Sequence, residues 1–316
     1  MRVYRYQIKP LSAFVTPMRS DTLYGQLLCA AAEREGETGV KALIKAFTDN
    51  KAPFVLSSAF PAGMLPVPVM PGIKRQQFKS LAHGAMFDTL SQYKIFRKKQ
   101  FIPLTDWKIL SSQLNGLKLF QYYRECTVEG DKHEKVKTGQ SRTMHNSIDR
   151  NTNRVITQGG LYSDEARYFS PESRYDIYVK TANRTYFEEL FLHVATTGFG
   201  ADSSTGKGQF SFTLDDNFDD AIFNHKGNAA MSLSVCAAQE TDQFSGTWNL
   251  FTKLGKVWNG FGESNPFKKP FIAFSEGSVF TTMPASNYVL QNIHSNPDYV
   301  QIGLPLTLPL TIEEDK

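Results

Sequence analysis

The run "RYDIYVKTANRTYFEELFLHVATTGFGADSSTGKGQFSFTL", residues 174–214, decides the fold class of this chain. Apolar and polar side chains alternate over 174–181 and again over 209–214, which predicts two β-strands. Between them, Thr185 and Glu188 have the spacing of a capping box, which predicts the start of a helix. The apolar residues after this start share one helix face: Phe187, Leu190, Phe191 and Val194. The run therefore predicts a strand–helix–strand unit.

A glycine-rich loop joins this helix to the second strand. It contains Gly198, Gly200, Gly206 and Gly208, together with Ser203, Ser204 and Lys207. A loop with so little side-chain bulk presents backbone N–H groups, which attract phosphate. It is not a P-loop. Five residues lie between Gly200 and Gly206-Lys207, where a P-loop has four, and Gly208 stands at the position of the Ser or Thr whose hydroxyl binds magnesium. The remaining interpretations are a phosphate contact of another kind or a tight structural turn.

The N-terminal part supplies the other half of the predicted domain. Residues 3–9 alternate as a strand, Ser20 is placed as the N-cap of a helix that Gly36 ends, and a second helix is predicted over 39–48. With a further strand near 160–169, residues 1–215 have the order β-α-β-β-α-β of a ferredoxin-like, RRM-like α+β domain. On this prediction a long insertion, about residues 50–155, separates the first helix from the second strand.

Residues 228–316 form a second predicted region. Short strand patterns dominate it, including "FIAFSEGSVFTTM", "YVLQNI" and "YVQIGLPLTL". The sequence predicts a smaller, β-rich C-terminal domain, either a complete ferredoxin-like unit or a degenerate one.

Composition limits the classes of function. A length of 316 residues and a hydrophobic content of 41% predict a packed soluble protein. No secretory signal or membrane span is visible, so we expect a cytoplasmic protein with no membrane partner. The three cysteines are isolated from one another and from histidine, and no nuclease or polymerase metal motif occurs. We therefore expect no metal, no cofactor and no small-molecule substrate.

Charge is unevenly distributed along the chain. Residues 74–154 contain 16 Lys and Arg against 7 Asp and Glu, a net charge of +9, whereas the rest of the chain has a net charge of −5. A basic insertion on an acidic remainder indicates a polyanionic partner, and a solvated loop is the competing interpretation.

Six blocks of sequence, in order, carry a resemblance to a known family. They are "SDTLYGQLLCA" (20–30), "PFVLSSAFPAGMLPVP" (53–68), "HNSIDRNT" (145–152), "GGLYSDE" (159–165), "YDIYVKT" (175–181) and "GFGADSSTGKGQF" (198–210). Together they resemble the RAMP superfamily of CRISPR proteins, specifically the fourth Csm-type, Cas-five-like subunit of type III-A effector complexes. The resemblance covers most of residues 1–215 and continues more weakly at 268–280.

The resemblance implies a non-catalytic RNA-binding and assembly subunit. It would bind the 5′ repeat-derived handle of CRISPR RNA (crRNA), anchor the large Cas-ten-type signalling subunit and contact the backbone RAMP subunit. A hairpin from the insertion would resemble the thumb with which RAMP subunits kink RNA.

The candidate RNA-binding residues fall into four groups, and no residue is predicted to be catalytic. The glycine loop supplies Gly198, Gly200, Ser203, Ser204, Gly206, Lys207 and Gly208. The segment "RTMHNSIDR" supplies Arg142, His145, Asn146 and Arg150, which combine phosphate donors with an imidazole that can stack on a base. The basic insertion supplies Lys74, Arg75, Arg97, Lys98 and Lys99, with Phe78, Tyr93, Phe96 and Phe101 nearby. The start of the first helix supplies Arg19 and Ser20.

Two other functions remain open at this stage. Other RAMP families cleave CRISPR RNA with a histidine, so His145 makes a metal-independent endoribonuclease that processes repeat RNA the alternative. An RRM-like binder of single-stranded RNA with no fixed complex is the third possibility.

Overall fold

The structure is a computed structural model that describes residues 1–82, 85–128, 138–155, 160–238, 242–257, 265–284 and 288–313. Within these residues the α-helices are α1 Ser20–Thr48, α2 Arg75–Ala82, α3 Met86–Phe96, α4 Leu104–Leu110, α5 Gly116–Val128 and α6 Arg184–Thr197. The strands of the first 215 residues are β1 Arg2–Pro10, β2 Phe54–Leu56, β3 Phe60–Pro61, β4 Met64–Pro66, β5 Phe101–Pro103, β6 Thr138–Asn146, β7 Ile148–Asp149, β8 Arg154–Val155, β9 Leu161–Phe169, β10 Tyr175–Thr181 and β11 Phe210–Leu214. The later strands are β12 Ala229–Ser232, β13 Ser245–Thr247, β14 Leu250–Lys253, β15 Phe271–Phe274, β16 Val279–Thr282, β17 Val289–Leu290, β18 Gln301–Ile302 and β19 Thr307–Leu310. Helices combined with antiparallel sheets confirm the predicted α+β class.

The central sheet has the strand order β11-β1-β10-β2, and every neighbouring pair is antiparallel. Alternation along β1 gives this sheet two buried faces. Tyr6 and Ile8 pack in one cluster with residues of α1 and α6, such as Leu23 and Phe191. Val3 points to the opposite face and packs in a second cluster. The predicted strand–helix–strand run therefore forms half of this layer, with α6 covering the sheet.

Two local predictions about the helices have different outcomes. Gly36 has φ of 73° and ψ of −171°, so it interrupts α1 between the two helical segments that the sequence predicted. The predicted capping box at Thr185 is wrong: the N-cap of α6 is Asn183, whose side chain accepts a hydrogen bond from Tyr186 N–H. The helix begins two residues earlier than predicted, and this asparagine satisfies a free N–H group of its actual first turn.

The second strand of the central sheet is not the one predicted from sequence. Phe54–Leu56 pairs with β10, directly after α1, whereas Leu161–Phe169 pairs with β6 outside the central sheet. The long insertion therefore follows the second strand instead of preceding it. A three-residue strand carries too little alternation to be recognised in a sequence.

The C-terminal strands and the insertion helices cover the other face of the central sheet. β13, β16, β12 and β19 form a four-stranded antiparallel sheet. Met231 and Leu308 of this sheet share a buried cluster with Val3 of β1 and with Trp107 and Leu119 of the insertion. The predicted strands of this region are confirmed, and no α-helix lies among its described residues, 229–238, 242–257, 265–284 and 288–313.

Strands β6 and β9 form a long hairpin within the insertion. They pair from Thr138↔Phe169 to Asn146↔Leu161, and most of their side chains are exposed. Backbone hydrogen bonds in both directions between Phe14 and Arg167 fix the base of the hairpin to the segment that follows β1. The resemblance predicted a hairpin from the insertion, and its role as a thumb on RNA stays a prediction. Strand β9 lies beyond the predicted insertion bound of about residue 155.

No helix among the described residues combines the length and hydropathy that crossing a bilayer requires.

Candidate nucleic-acid interface

A groove of about 1660 Å³ crosses the protein beside the base of the β6–β9 hairpin. Its walls come from distant parts of the chain: the segment after β1, the loops around β3 and β4, the end of α3, the hairpin and the loop after β15. Four of the predicted RNA-binding residues line it: Arg19, Arg97, Lys98 and Lys99. Tertiary packing therefore brings together parts of two groups that lie far apart in sequence.

One wall of the groove is basic and another is aromatic. The basic wall is formed by Arg97, Lys98 and Lys99, which follow α3. The aromatic wall is formed by the partly exposed rings of Phe169 and Tyr175, with the buried Phe14 behind them, and neighbouring ring centroids lie 5.2 and 5.6 Å apart. Cations that follow a phosphate backbone, combined with rings that receive bases, are the elements of a single-strand nucleic-acid groove.

The hairpin continues the groove along one of its faces. Thr138 and Gln140 line the groove, and the same strand face includes Arg142, because side chains alternate along β6. Arg142 is exposed and lies opposite Glu165, and its Nε donates to Ser163 Oγ at 2.9 Å. The predicted residue Arg142 therefore extends the groove surface away from the core.

His145 lies on the opposite face of the hairpin. Its ring stacks on Tyr162 with centroids 5.2 Å apart and an interplanar angle of 18°, and its Nε2 lies 3.2 Å from Asp164 Oδ2. Asn146 and Arg150 are exposed further along the hairpin. The structure therefore separates Arg142 from His145, which the sequence had placed in one group.

The glycine loop adopts a conformation that requires its glycines. Gly198, Gly200, Gly206 and Gly208 have φ between 78° and 99°, a region that other residues rarely occupy. A Cβ on Gly208 would lie 2.1 Å from the carbonyl oxygen of Phe199, and one on Gly200 would lie 2.5 Å from Thr16 Cβ. The loop is therefore a tight structural turn, and it packs on Thr16 in a wall of the groove.

Part of the loop surface remains open to a ligand. Ser204 and Gly206 are exposed, and Ser203 is half-buried. Lys207 Nζ lies 3.0 Å from Asp202 Oδ2, so the charge of this predicted contact is balanced within the loop. Both interpretations of the loop from sequence are therefore compatible with its geometry.

Arg19 lies in the groove but is engaged by the protein. Its Nε donates to Glu276 Oε1 at 3.0 Å and its Nη2 to Oε2 at 2.5 Å, and its guanidinium lies 4.0 Å from the ring centroid of Phe251. Burial alone would raise the pKa of the Glu276 carboxyl, but the hydrogen bonds and charge of Arg19 hold that pKa below its usual value. A phosphate would have to displace Glu276 to reach Arg19.

Replacing Arg19 with alanine should lower the free energy of unfolding by about 3 kcal/mol at pH 7, because it leaves a buried carboxylate unpaired. The folded-state pKa of Glu276 is lowered. The stabilisation by the ion pair is therefore present above the unfolded pKa and is lost as the pH falls through the folded one. Urea unfolding of the unchanged chain and of R19A should show a smaller difference in the free energy of unfolding at pH 4 than at pH 7. A difference that does not change with pH would assign the effect to packing on Phe251.

Ser20 is not at the surface. It is wholly buried, its N–H donates to Ser58 Oγ and its own Oγ accepts a hydrogen bond from Val235 N–H at 2.8 Å. The predicted N-cap role is wrong, since Arg19 holds that position without a side-chain cap. Ser20 joins the start of α1 to the C-terminal region, and its hydroxyl faces the protein interior.

The remaining basic candidates lie outside the groove. Lys74 and Arg75 are exposed at the start of α2 and are not among the residues that line the groove. The aromatic residues near them mostly serve the core of the insertion, where Phe78 and Tyr93 pack around Phe120. Of the four aromatics noted in the sequence, Phe101 lines the groove. Lys132, Lys135 and Lys137 of the basic stretch lie outside the described residues.

Sequence reasoning missed Arg167, Gln140 and Asn249, which also line the groove. Arg167 faces Gln140 across the hairpin. Only the pairing of β6 with β9 places Arg167 on the same face of the hairpin as Arg142, so the sequence alone could not identify it.

Comparison with known proteins gives structural matches alone. No family model and no curated protein matches the sequence. A solved Csm1–Csm4 cassette in complex with pppApA matches over 99% of this chain and 100% of the other, with a TM-score of 0.59 and 16% identity. A Csm3–Csm4 subcomplex of the type III-A interference complex matches over 97% and 99%, with a TM-score of 0.58 and 15% identity. A Csm1–Csm4 cassette with cA4 matches over 99% and 100%, with a TM-score of 0.57 and 17% identity.

These matches extend over nearly the full length of both chains, so they include the insertion and the C-terminal strands as well as the central sheet. The chain therefore has the fold of Csm4, a RAMP subunit of type III-A Csm complexes, and the family resemblance drawn from its sequence motifs is confirmed at the level of the fold.

Proposed function

We propose that this chain is a non-catalytic RNA-binding and assembly subunit of a type III-A CRISPR effector complex. It binds the 5′ repeat-derived handle of crRNA and anchors the large signalling subunit, as the Csm1–Csm4 pairing of its structural neighbours suggests. The observation that carries the proposal is the groove whose lining combines Arg97, Lys98 and Lys99 with the rings of Phe14, Phe169 and Tyr175. We assign the chain no cofactor.

The topology supports the ferredoxin-like domain on which this proposal rests. The order β11-β1-β10-β2 places the fourth strand beside the first, and the third between the first and the second. Helices α1 and α6 pack on one face of this sheet. This is the arrangement expected of β-α-β-β-α-β chains, with the insertion between the second and third strands.

The proposed mechanism is positional. Arg97, Lys98 and Lys99 hold phosphates and fix the register of the strand, which phosphate contacts do without reading sequence. Bases turn toward the aromatic wall, where stacking tolerates every base. Polar groove residues such as Gln140 and Asn249 supply donors and acceptors for a few base edges.

Co-purification tests the proposal directly. The chain should be expressed with the large subunit, the backbone subunit and a CRISPR array, and a complex with stoichiometric crRNA is the expected result. Recovery of the chain with RNA but without either subunit would favour the independent RRM-like binder. Recovery without RNA would contradict handle binding.

The non-catalytic assignment is part of the proposal, and His145 tests it. Labelled repeat RNA incubated with the purified chain in EDTA should remain intact. We assign His145, which stacks on Tyr162 on the hairpin face away from the groove, to an additional RNA contact and not to proton transfer. Substitution of His145 with alanine should weaken handle binding by about 1–2 kcal/mol, the value of one lost stack. Cleavage by the unchanged protein that H145A abolishes would establish the endoribonuclease alternative instead.

A further inference from the structure

The hairpin built on β14 and β15 has two unlike faces. Its described residues are 249–257 and 265–276, here called the β14–β15 ribbon. The inner face is fixed to the start of α1: Phe251 lies under the Arg19 guanidinium, and Lys253 Nζ lies 2.7 Å from Asp21 Oδ2. Asp21 is 1% exposed, so these contacts give the ribbon a buried anchor.

The outer face of the ribbon is apolar and open. Leu250, Leu254, Phe267 and Ile272 are 53%, 74%, 59% and 64% exposed. Strand alternation turns Leu250 and Leu254 away from the anchored Phe251 and Lys253, and Ile272 pairs with Thr252 on this same outer face. Several large apolar side chains on one exposed face mark an interaction surface more often than single ones do.

Among the described residues of the ribbon, the exposed charges have one sign. The ribbon contains four lysines and one acid, Glu276, and both Glu276 and Lys253 are paired on the inner side. Lys268 is turned inward, where its Nζ donates to Val300 O and Gln301 Oε1. Lys256 and Lys269 remain exposed at the rim, and Lys256 Nζ lies 5.0 Å from the ring centroid of Phe267.

We propose that the outer face of the β14–β15 ribbon docks a protein subunit that presents aliphatic side chains edged with carboxylates. Complementary charge selects this occupant. A second copy of the chain would bring two lysine rims together. RNA would find three aliphatic side chains and one ring, Phe267, over which Lys256 already lies. The inference rests on the proposed function, because it takes the partner from the same effector complex.

Binding to purified subunits tests the inference. The large subunit and the backbone subunit of the complex are each titrated with the unchanged chain, with L254E/I272E and with K256E/K269E. L254E/I272E should weaken binding to one of the two subunits at least tenfold, because it removes apolar contact and adds charges of the partner's sign. K256E/K269E should weaken binding to that same subunit and flatten its salt dependence. The matched control is I109E, a substitution at an equally exposed position on α4.

The outcomes separate the inference from the function beneath it. If the unchanged chain binds neither subunit, the proposed function fails. If the unchanged chain binds and both double variants bind equally well, the docking inference alone is overturned. Loss of handle binding, or a change in self-association measured by sedimentation, would assign the face to RNA or to a second copy and would also overturn it. Thermal unfolding of each variant should match the unchanged chain, since every substituted side chain is exposed.

Discussion

Replacing Gly208 with alanine should lower the free energy of unfolding by more than about 4 kcal/mol and should abolish crRNA loading. The new Cβ would lie 2.1 Å from the carbonyl oxygen of Phe199 and 2.5 Å from its backbone nitrogen. Backbone atoms cannot move aside as a flexible side chain can, and the N–H of Phe199 also donates to the Gly208 carbonyl. The φ of 78° adds strain of about 1–2 kcal/mol. Chemical unfolding and co-purification with crRNA measure the two effects.

Gly206 provides the matched control for this prediction. It has a φ of 84°, but nothing lies within 4 Å of a Cβ placed there. The free energy of unfolding of G206A should therefore fall only by the backbone strain of about 1–2 kcal/mol, and the variant should fold. Equal stability of G206A and G208A would contradict the close packing of the loop on Phe199. If the folded G206A variant loses RNA affinity, the exposed part of the loop contacts the RNA.

Replacing Arg97, Lys98 and Lys99 together with alanine should weaken handle binding by roughly a hundredfold, at about 1 kcal/mol for each phosphate contact. Each neutralised phosphate releases condensed counterions, so the log–log dependence of affinity on salt should become shallower by about two. Correct and scrambled handles should lose affinity equally, because phosphate contacts do not read sequence. Titrations of labelled handle RNA at several salt concentrations measure all three quantities.

A second triple variant controls for charge alone. K79A/K94A/K108A removes three exposed lysines of the same insertion, none of which lines the groove. It should keep most of the affinity and nearly the full salt dependence. Equal losses in both triple variants would mean that the insertion acts through its overall charge and that the groove is not the RNA path. Thermal unfolding of both variants should be measured as well, because Lys99 Nζ lies 5.4 Å from the ring centroid of Tyr123 and its loss could affect stability.

The sequence predicted those features of the fold that depend on neighbouring residues. Alternation identified β1, β10 and β11, helical spacing identified α1 and α6, and Gly36 marked the break in α1. Such signals are local, because they follow from the backbone geometry of one element and from which of its faces is buried. The order of the six sequence blocks also indicated the family whose fold the chain has.

The candidate site was predictable only in part. Arg97, Lys98 and Lys99 were visible as a basic run, and the groove contains them. The same reasoning selected Lys74 and Arg75, which lie outside the groove, because a count of charges cannot tell which exposed side chains share a concave surface. Ser20 was selected as a cap at the helix start, and it is buried against Val235, 215 residues away.

The sequence by itself determined β1, β10, β11, α1 and α6 of the α+β layer, the glycine-rich loop between α6 and β11, and the basic character of the insertion. The tertiary structure alone decided that Phe54–Leu56 is the second strand of the central sheet, that the hairpin face with Arg142 and Arg167 continues the groove, and that Glu276 neutralises Arg19 from 257 residues away. The physical reason is the range of the interactions. Local pattern fixes backbone conformation, whereas contacts between distant residues depend on how complete layers pack, and that packing leaves no trace in a short window of sequence.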